Sequence, residues 1–554
     1  MMDNKELPGA QRTPSYILQD VPGKGKGLVA VSPIARGTRI LCEEPLITSS
    51  SRQTDLKQAK AAVCRQIKSL SEDRRQAFLY LQNIHPYKNL DDQYLGIFRT
   101  NALPIEDDGI DGGVFVEASR INHACDNNSQ KHWNERIKRH TIHAIRDIAV
   151  GEEITVTYLG TLRKREMRQE KLQASFGFRC ICDLCSLPEE ESKQVDNRLE
   201  HIFSLDQVIG FGGLEGISEK PLKMLRLIER QVNLYNEHGA NDVGLSRAFL
   251  DASQVLVAHD DLARARVFIQ RAISEWESTQ GHDSATVLEY RHLLHDPSKH
   301  QLHGISKKWA TTVDQIPQGL NSSDFEDWLW RRDKLMSEGQ LADFRHRLYF
   351  PEFAELPNDR ELDLEFHDYV DNDVYRPRRH WCFIGEIAEI GYLTRLQMEV
   401  KDRAGDKVPI FIHTDDRGEK LMASLKTGHI VAILYAKSHA FMDGQFGIRQ
   451  EDAALIKTFP CSLEYLHELN KRVQQFSAES DLGRVCHGCG KKALTLQKCS
   501  KCSFFWYCDK ACQIAGWTKN GHKSDCKLLK DSDLRGLFSL AWDKFDKYQK
   551  FPLL

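Results

Sequence analysis

Between residues 486 and 526 the chain carries four pairs of soft or borderline ligands: Cys486 and Cys489, Cys499 and Cys502, Cys508 and Cys512, and His522 and Cys526. No other feature restricts the fold so tightly. Zinc prefers thiolate and imidazole, four to a closed tetrahedral shell, so these eight groups make two structural sites with no position left for a substrate. A segment this short cannot bury a large core, and metal binding must supply much of its folding free energy. His487 also lies among the ligands, but spacing favours His522.

A second cluster, Cys180, Cys182 and Cys185, offers three thiolates. A closed shell needs a fourth ligand. The nearest unclaimed cysteine upstream in a polar, turn-like setting is Cys125, within Arg120-Ile-Asn-His-Ala-Cys-Asp-Asn-Asn128. Taken alone, such a site is either a zinc knob without further consequence or a clip tying residues 122–123 to the chain just after Phe178. Disulfides are disfavoured, because 11 of the 15 cysteines fall in these two groups at metal-binding spacings in a long chain. Cys42, Cys64, Cys382 and Cys461 read as small buried residues.

A chain of 554 residues exceeds one hydrophobic core, so two to four domains are expected. A formal charge of −3 argues against a protein-wide grip on nucleic acid. The N-terminus is polar, and no window approaches the roughly 20 apolar residues of a membrane span. A nuclear or cytoplasmic location, with no membrane partner, is the expectation.

Residues 14–48 read as short strands punctuated by Gly25, Gly27 and Gly37, residues 52–98 as helical, and residues 114–158 as strands again. A basic helix over 161–174 leads to Phe176 and the first cysteines. The block 195–300 is helical: Leu245, Ala248, Phe249, Ala252 and Leu256 share one face, and Ala265, Phe268, Ile269, Ala272, Ile273 and Trp276 share another. This pair resembles one tetratricopeptide repeat, although a plain helical bundle explains it equally. Residues 301–376 read as linker and helices, with 352–373 an acidic linker or solvated surface. In 377–456 apolar residues alternate at Leu396, Met398 and Val400 and at Val408, Ile410 and Ile412, predicting a small antiparallel β barrel or sandwich. Such a barrel could take an oligonucleotide, but aromatic and basic residues do not interleave there, which leaves a nucleic-acid partner unsupported.

The C-terminal array, with Tyr507 before Cys508 and Trp517 before the last pair, resembles a MYND finger. The resemblance implies interleaved sites, Cys486, Cys489, Cys508 and Cys512 on one zinc and Cys499, Cys502, His522 and Cys526 on the other, and proline-containing peptides as partners. Arg-x-Asn-His-x-Cys-x-x-Asn at 120–128, Gly-Glu-Glu-Ile-Thr-Val-Thr-Tyr at 151–158 and Phe-Gly-Phe-x-Cys-x-Cys-x2-Cys at 176–185, after Gly-Lys-Gly-Leu at 25–28, resemble the SET-domain protein-lysine methyltransferases. The resemblance spans 14–186 and includes the region after the SET domain proper. It implies a β-rich fold, in a multidomain α+β chain, whose Asn-His and Tyr segments form a pseudoknot. It further implies S-adenosylmethionine as cofactor and a protein lysine as substrate. Carried over by position, Tyr158 is the catalytic tyrosine and Phe176 and Phe178 wall the lysine channel. Lys24, Gly25, Lys26, Leu28, Asn101, Asn122 and His123 border the cofactor. Cys125 completes a zinc with Cys180, Cys182 and Cys185.

Two departures stand out. The family's serine and proline after Asn-His are Ala124 and Asn127 here, neither of them a proposed ligand. The finger follows at the far C-terminus rather than inside the SET domain, which looks more like fungal SET proteins. Outside the ordered motifs, Tyr158, Phe176 and Phe178 would be packing residues and His123 a satisfied polar one. Two further readings compete with the enzyme: a catalytically silent SET and MYND scaffold in transcriptional regulation, and a nucleic-acid-binding regulator using the β block and finger.

Overall fold

The tight turn at Pro22–Lys24 starts the first sheet. Gly23 and Gly25 take positive φ there, +74° and +75°, which lets β1 (Tyr16–Val21) fold back on β2 (Gly25–Ala30) in antiparallel register from Tyr16↔Ala30 to Val21↔Gly25. The computed structural model describes residues 14–50, 56–105, 111–160, 163–238, 244–333, 340–371, 374–442, 444–478 and 483–553; the polar residues 1–13 lie outside it. The chain divides into two units, Met1–Leu320 and Asn321–Leu554.

The first unit is strand-rich at its start. After β3 (Arg39–Glu43), β4 (Ile47–Ser50), β5 (Leu103–Pro104) and β6 (Asp111–Val114) come β7 (Asn122–His123), β8 (Ser129–Asn134), β9 (Arg139–Ala144) and β10 (Glu153–Val156). They form three small sheets, ordered β1-β2-β10-β7, β3-β9-β8 and β4-β6-β5. Leu28, Ile121, Ile142, Ile154 and Val156 fill one core, while Ile47 of β4 and Val114 of β6 lie in a second one with Val63, Phe78 and Ile97. β10 lies antiparallel to β2 but parallel to β7, with Thr155 opposite Asn122 and Val156 opposite His123. That parallel pair aligns the Asn-His segment with the strand leading to Tyr158.

Asn128 laces the same region together. Its amide nitrogen donates to Glu153 O at 2.8 Å and Glu152 Oε1 at 2.9 Å, and its oxygen accepts the Thr155 N–H at 2.8 Å. The residue is 1% exposed, so the Thr155 N–H and the Glu153 carbonyl depend on it for a partner, whereas Glu152 Oε1 also meets Arg146 at 2.7 Å.

Beyond the helix Arg165–Phe176 and the short Asp183–Ser186 come the helices Glu189–Glu219, kinked at Gly213, Pro221–His238, Gly244–Ala258, Leu262–Gln280 and Ala285–His295. The two periodic faces expected from the sequence are buried, and Phe249 meets Phe268 with ring centroids 6.2 Å apart. Asp261, itself fully buried, caps the helix Leu262–Gln280 by accepting the Arg264 N–H. This helix is fastened to the β3-β9-β8 side. Arg36 reaches Glu275 at 2.6 Å and Arg39 pairs with Asp283. Gly281 makes room: at φ +91°, a Cβ there would stand 2.5 Å from Arg39 Nη2 and 2.8 Å from His143 Nε2.

In the second unit, β11 (His367–Asp371) and β12 (Val374–Pro377) form a hairpin. β13 (Cys382–Tyr392), β14 (Leu396–Lys401), β15 (Lys407–Ile412), β16 (Ile430–Leu434), β17 (Ser438–Ala440), β18 (Phe446–Gln450) and β19 (Ile456–Phe459) make one seven-stranded sheet, ordered β17-β18-β15-β14-β13-β16-β19. The alternating residues of β14 and β15 point inward as predicted. The sheet is not wholly antiparallel: β15 and β18 run parallel, because the chain crosses through a short helix, β16 and β17 between them.

One expectation needs correction. The acidic stretch 352–373 is not a solvated linker, since Leu356, Leu364 and Phe366 are buried, the first and last within the sheet's core. Its acids are accommodated by pairing: Arg379 donates to Glu365 O at 3.1 Å and lies 3.5 Å from the Glu365 carboxylate, and Asp363 accepts the Glu365 N–H at 3.0 Å. The cysteine array, for its part, packs against the rest of its unit. Phe504, Phe505 and Tyr507 share one core with the sheet and with Leu466, Leu469 and Val473 of the helix Leu463–Ser477. Arg472 and Tyr465 of that helix both bind the buried Asp525. Tertiary packing therefore contributes to holding this segment, beyond any metal its cysteines bind.

Asn128→Leu keeps the bulk but leaves the Thr155 N–H and Glu153 C=O without partners. At about 1–3 kcal/mol per buried orphan, urea unfolding should show a loss of about 2–5 kcal/mol.

Candidate active site and metal centres

The site is assembled around one histidine. His123 is 4% exposed, and burial pulls its imidazole down to about 4, so the ring is neutral. Its Nδ1 accepts the Tyr158 N–H at 3.0 Å, which leaves the ring proton on Nε2. Nε2 faces Cys125 Sγ at 3.3 Å. One ring thus joins a cysteine of the metal cluster to the backbone of Tyr158.

The cluster itself consists of Cys125, Cys180, Cys182 and Cys185, whose sulfurs all lie within 4.8 Å of one another. Backbone N–H groups serve it as well: Cys125 N lies 3.4 Å from Cys182 Sγ, and Cys182 N lies 3.5 Å from Cys180 Sγ. Four thiolates around a divalent ion retain net negative charge. Arg168, 1% exposed on the helix Arg165–Phe176, supplies a buried guanidinium 3.9 Å from Cys185 Sγ. The next residue, Gln169, exchanges two hydrogen bonds with the backbone of Cys180, at 2.8 and 2.9 Å. Neither residue was picked out from sequence; the only signal was their place on a helix just before the cysteines.

That helix ends at Phe176. Gly177, at φ +73°, reverses the chain, so that Phe176 and Phe178 both turn toward Tyr158. Ring centroids are 5.0 Å apart for Tyr158–Phe176, 6.4 Å for Tyr158–Phe178 and 5.3 Å for Tyr158–His123. The Tyr158 hydroxyl donates to Ile121 O at 2.7 Å. Burial raises its pKa, with a smaller contribution from the charge of Glu153, and keeps the phenol protonated.

On the other side of β10, Lys24, Asn122 and Glu153 form a polar group. Lys24 Nζ lies 2.7 Å from Glu153 Oε2, and the Asn122 amide donates to Glu153 Oε1 at 2.8 Å and to Lys26 O at 3.2 Å. Gly27 permits this approach, since a Cβ there would stand 2.8 Å from both the Asn122 amide and the Glu153 carboxylate. Gly25 faces open space. Lys26 contributes its carbonyl, while its ammonium pairs with Asp20 at the surface.

Two sequence candidates sit back from this group. The Leu28 side chain lies in the core. The Asn101 side-chain NH2 is spent on Gln82 O and Ile97 O, and its backbone carbonyl accepts the Ser119 hydroxyl at 2.9 Å. Glu153 and Glu43 escaped sequence reasoning. Glu43 collects the N–H groups of Val116, Glu117 and Ala118, which fixes the turn feeding Asn122.

In the second unit, Cys486, Cys489, Cys508 and Cys512 come together, as do Cys499, Cys502, His522 and Cys526, each set with its ligand atoms within 4.8 Å. His522 turns Nε2 toward Cys502 Sγ at 3.3 Å while the Tyr507 hydroxyl holds its Nδ1 at 2.5 Å. His487 lies instead among the rings of Phe476, Phe505 and Tyr507. Among the described residues no helix is long and apolar enough to cross a membrane.

Comparison with known proteins supports both regions. The SET domain family profile matches residues 25–159 and the MYND finger profile matches residues 486–526. Histone-lysine N-methyltransferase set5 of Schizosaccharomyces pombe is 31% identical over 326 residues, covering 57% of this chain and 94% of that protein. The SET5 enzyme of Yarrowia lipolytica is 30% identical over 100 residues, 18% of this chain and 21% of its own length. Human histone-lysine N-methyltransferase SMYD3 is 34% identical over 80 residues, 14% of this chain and 18% of its own length.

Metal removal should separate the two supports of the C-terminal segment. A strong chelator is expected to shift the fluorescence of Trp506 and Trp517 toward that of exposed indole while the far-ultraviolet signal of the sheet persists. Unmoved fluorescence after metal loss, verified by elemental analysis, would mean that packing alone holds the segment.

Proposed function

Since this chain belongs to the family of the Set5 histone-lysine N-methyltransferases, we propose that it methylates histone lysines with Tyr158 as its catalytic tyrosine. It is an S-adenosylmethionine-dependent protein-lysine methyltransferase with a C-terminal MYND finger, a protein-interaction module. The observation that carries the assignment of Tyr158 is its double anchoring. The backbone is held by His123, the hydroxyl by Ile121 O, and the ring stands against Phe176 and Phe178.

The donor set suits the cofactor. The ammonium of Lys24 and the amide of Asn122 match the polar amino-acid end, and the open backbone at Gly25 allows close approach. Aromatic faces at Tyr158 attract a sulfonium. Lys24, Gly25, Lys26, Asn122 and His123 border the cofactor in this reading. Leu28 and Asn101 act from behind, holding β2 and the turn before Asn122. When bound, S-adenosylmethionine supplies an electrophilic methyl group for direct displacement by an amine.

The chain's residues do the rest. Phe176 and Phe178 exclude water and align the incoming lysine, and alignment of reacting atoms is the larger part of such catalysis. A free lysine has a pKa of about 10.4, and an apolar channel favours the neutral, nucleophilic amine. The phenol of Tyr158, its proton directed at Ile121 O, keeps oxygen lone pairs for the polarised methyl C–H groups.

Three zinc ions complete the assignment, one on Cys125, Cys180, Cys182 and Cys185 and two in the finger, supported by the three ligand groupings. The parallel β7–β10 pair supports the pseudoknot, and the packed helices Gly244–Ala258 and Leu262–Gln280 support a tetratricopeptide-like pair. The mixed sheet is read as a small barrel. Proline-containing peptides at the finger and a nuclear site of action accord with histones as substrate.

With tritiated S-adenosylmethionine and core histones, Tyr158→Phe should lower transfer by about 100-fold, the order seen when one transition-state contact is lost. Cofactor binding without transfer by the wild-type protein would instead mark a scaffold.

A further inference from the structure

The aromatic site contains an amine of its own. Lys131 lies on β8, opposite Ile142 of β9, and its Nζ stands 5.8 Å from the centroid of the Tyr158 ring. The ammonium donates to Thr157 O at 2.9 Å, the carbonyl immediately before Tyr158. Lys24 presents a contrast, since it is neutralised by Glu153. The groups facing Lys131 are His140 on β9, His123 on β7 and Tyr158 after β10; the two histidines are pushed down by burial and by its charge, and the phenol is held protonated. No carboxylate among the described residues offsets its charge, and burial alone pulls its pKa down to about 8.

Resting on the methyltransferase reading, we propose that Lys131 is the proton acceptor for the substrate lysine, whose ammonium cannot share this site with a second cation. Two ammonium groups in one apolar pocket without a carboxylate repel each other, so the pair retains one proton. Lys131 enters that competition partly neutral. With a pKa of about 8, about one molecule in ten carries it as free amine at pH 7, against about one in 2,500 for an ordinary lysine.

The step balances within the two side chains. The Lys131 lone pair takes a proton from the substrate ammonium, and the electrons of the broken N–H bond remain on the substrate nitrogen. That lone pair then forms the C–N bond as the C–S bond breaks, its electrons going to sulfur. Thr157 O receives the hydrogen bond of the newly charged Lys131 and steadies it.

The experiment uses the full-length, zinc-replete protein with S-adenosylmethionine and core histones. Wild-type kcat/KM should rise with pH through a step near 8, where Lys131 loses its proton. In Lys131→Gln that step should disappear, and the rise should move toward the substrate's own pKa of about 10.4. Lys131→Arg keeps the cation and a donor for Thr157 O but cannot release a proton; it should lose about 100-fold in kcat/KM across the range while binding the cofactor normally. Competitive acetylation of the cofactor-free protein, read by mass spectrometry, should show Lys131 reacting with a midpoint near pH 8.

An ordinary acetylation midpoint, an unaltered profile in Lys131→Gln, or full activity in Lys131→Arg would overturn the proposal. So would transfer of the methyl group to Lys131 itself, which would make this amine a methyl acceptor. A wild-type protein that binds cofactor yet methylates no histone would sink the methyltransferase reading, a result distinct from all of these.

Discussion

The contact between Cys125 Sγ and His123 Nε2 underlies the geometry of the site. It sets the tautomer of a neutral, buried imidazole, and the tautomer leaves Nδ1 free to accept the Tyr158 N–H. A cysteine cluster built from residues 125 and 180–185 is thereby linked to a tyrosine in neither segment. The same cysteines end the loop that carries Phe176 and Phe178. Cysteine cluster, tyrosine and aromatic wall form one connected object, and slack at the cluster would reach the ring through a single hydrogen bond.

Around that object the protein compensates charge locally. Arg168 answers the thiolates, Glu153 answers Lys24, and Glu43 satisfies the three N–H groups before Asn122. Lys131 is the exception, and an uncompensated cation beside an aromatic ring is expensive unless its proton is mobile. Its persistence there is easier to understand as function than as packing.

The C-terminal segment follows a different economy. Its two ligand sets use residues close in sequence, as expected of sites whose closure entropy is small. Yet Tyr507, Phe504 and Phe505 sink into the core of the seven-stranded sheet, and Asp525 is gripped by Arg472 and Tyr465. The finger is thus built into its unit, and a peptide bound there would meet a surface braced by the neighbouring helix.

The sequence by itself determined what depends on residue type at short range. The cysteine and histidine pairs of the C-terminal array, the glycine turns, the alternation of β14 and β15 and the two buried helical faces were legible because each rests on local spacing. The order of motifs around Asn122, His123, Tyr158 and Phe176 was legible too, as a resemblance. Tertiary structure alone decided which distant groups meet. Lys131, Glu153, Arg168 and Glu43 are ordinary charged residues in sequence, and their roles arise from partners across the fold. The parallel β15–β18 pair and the burial of the acidic stretch near Phe366 were hidden for the same reason: neither strand direction nor the pairing of a buried acid is encoded locally. Periodicity tells which way a side chain points along its own element, and only the packed chain decides what it finds there.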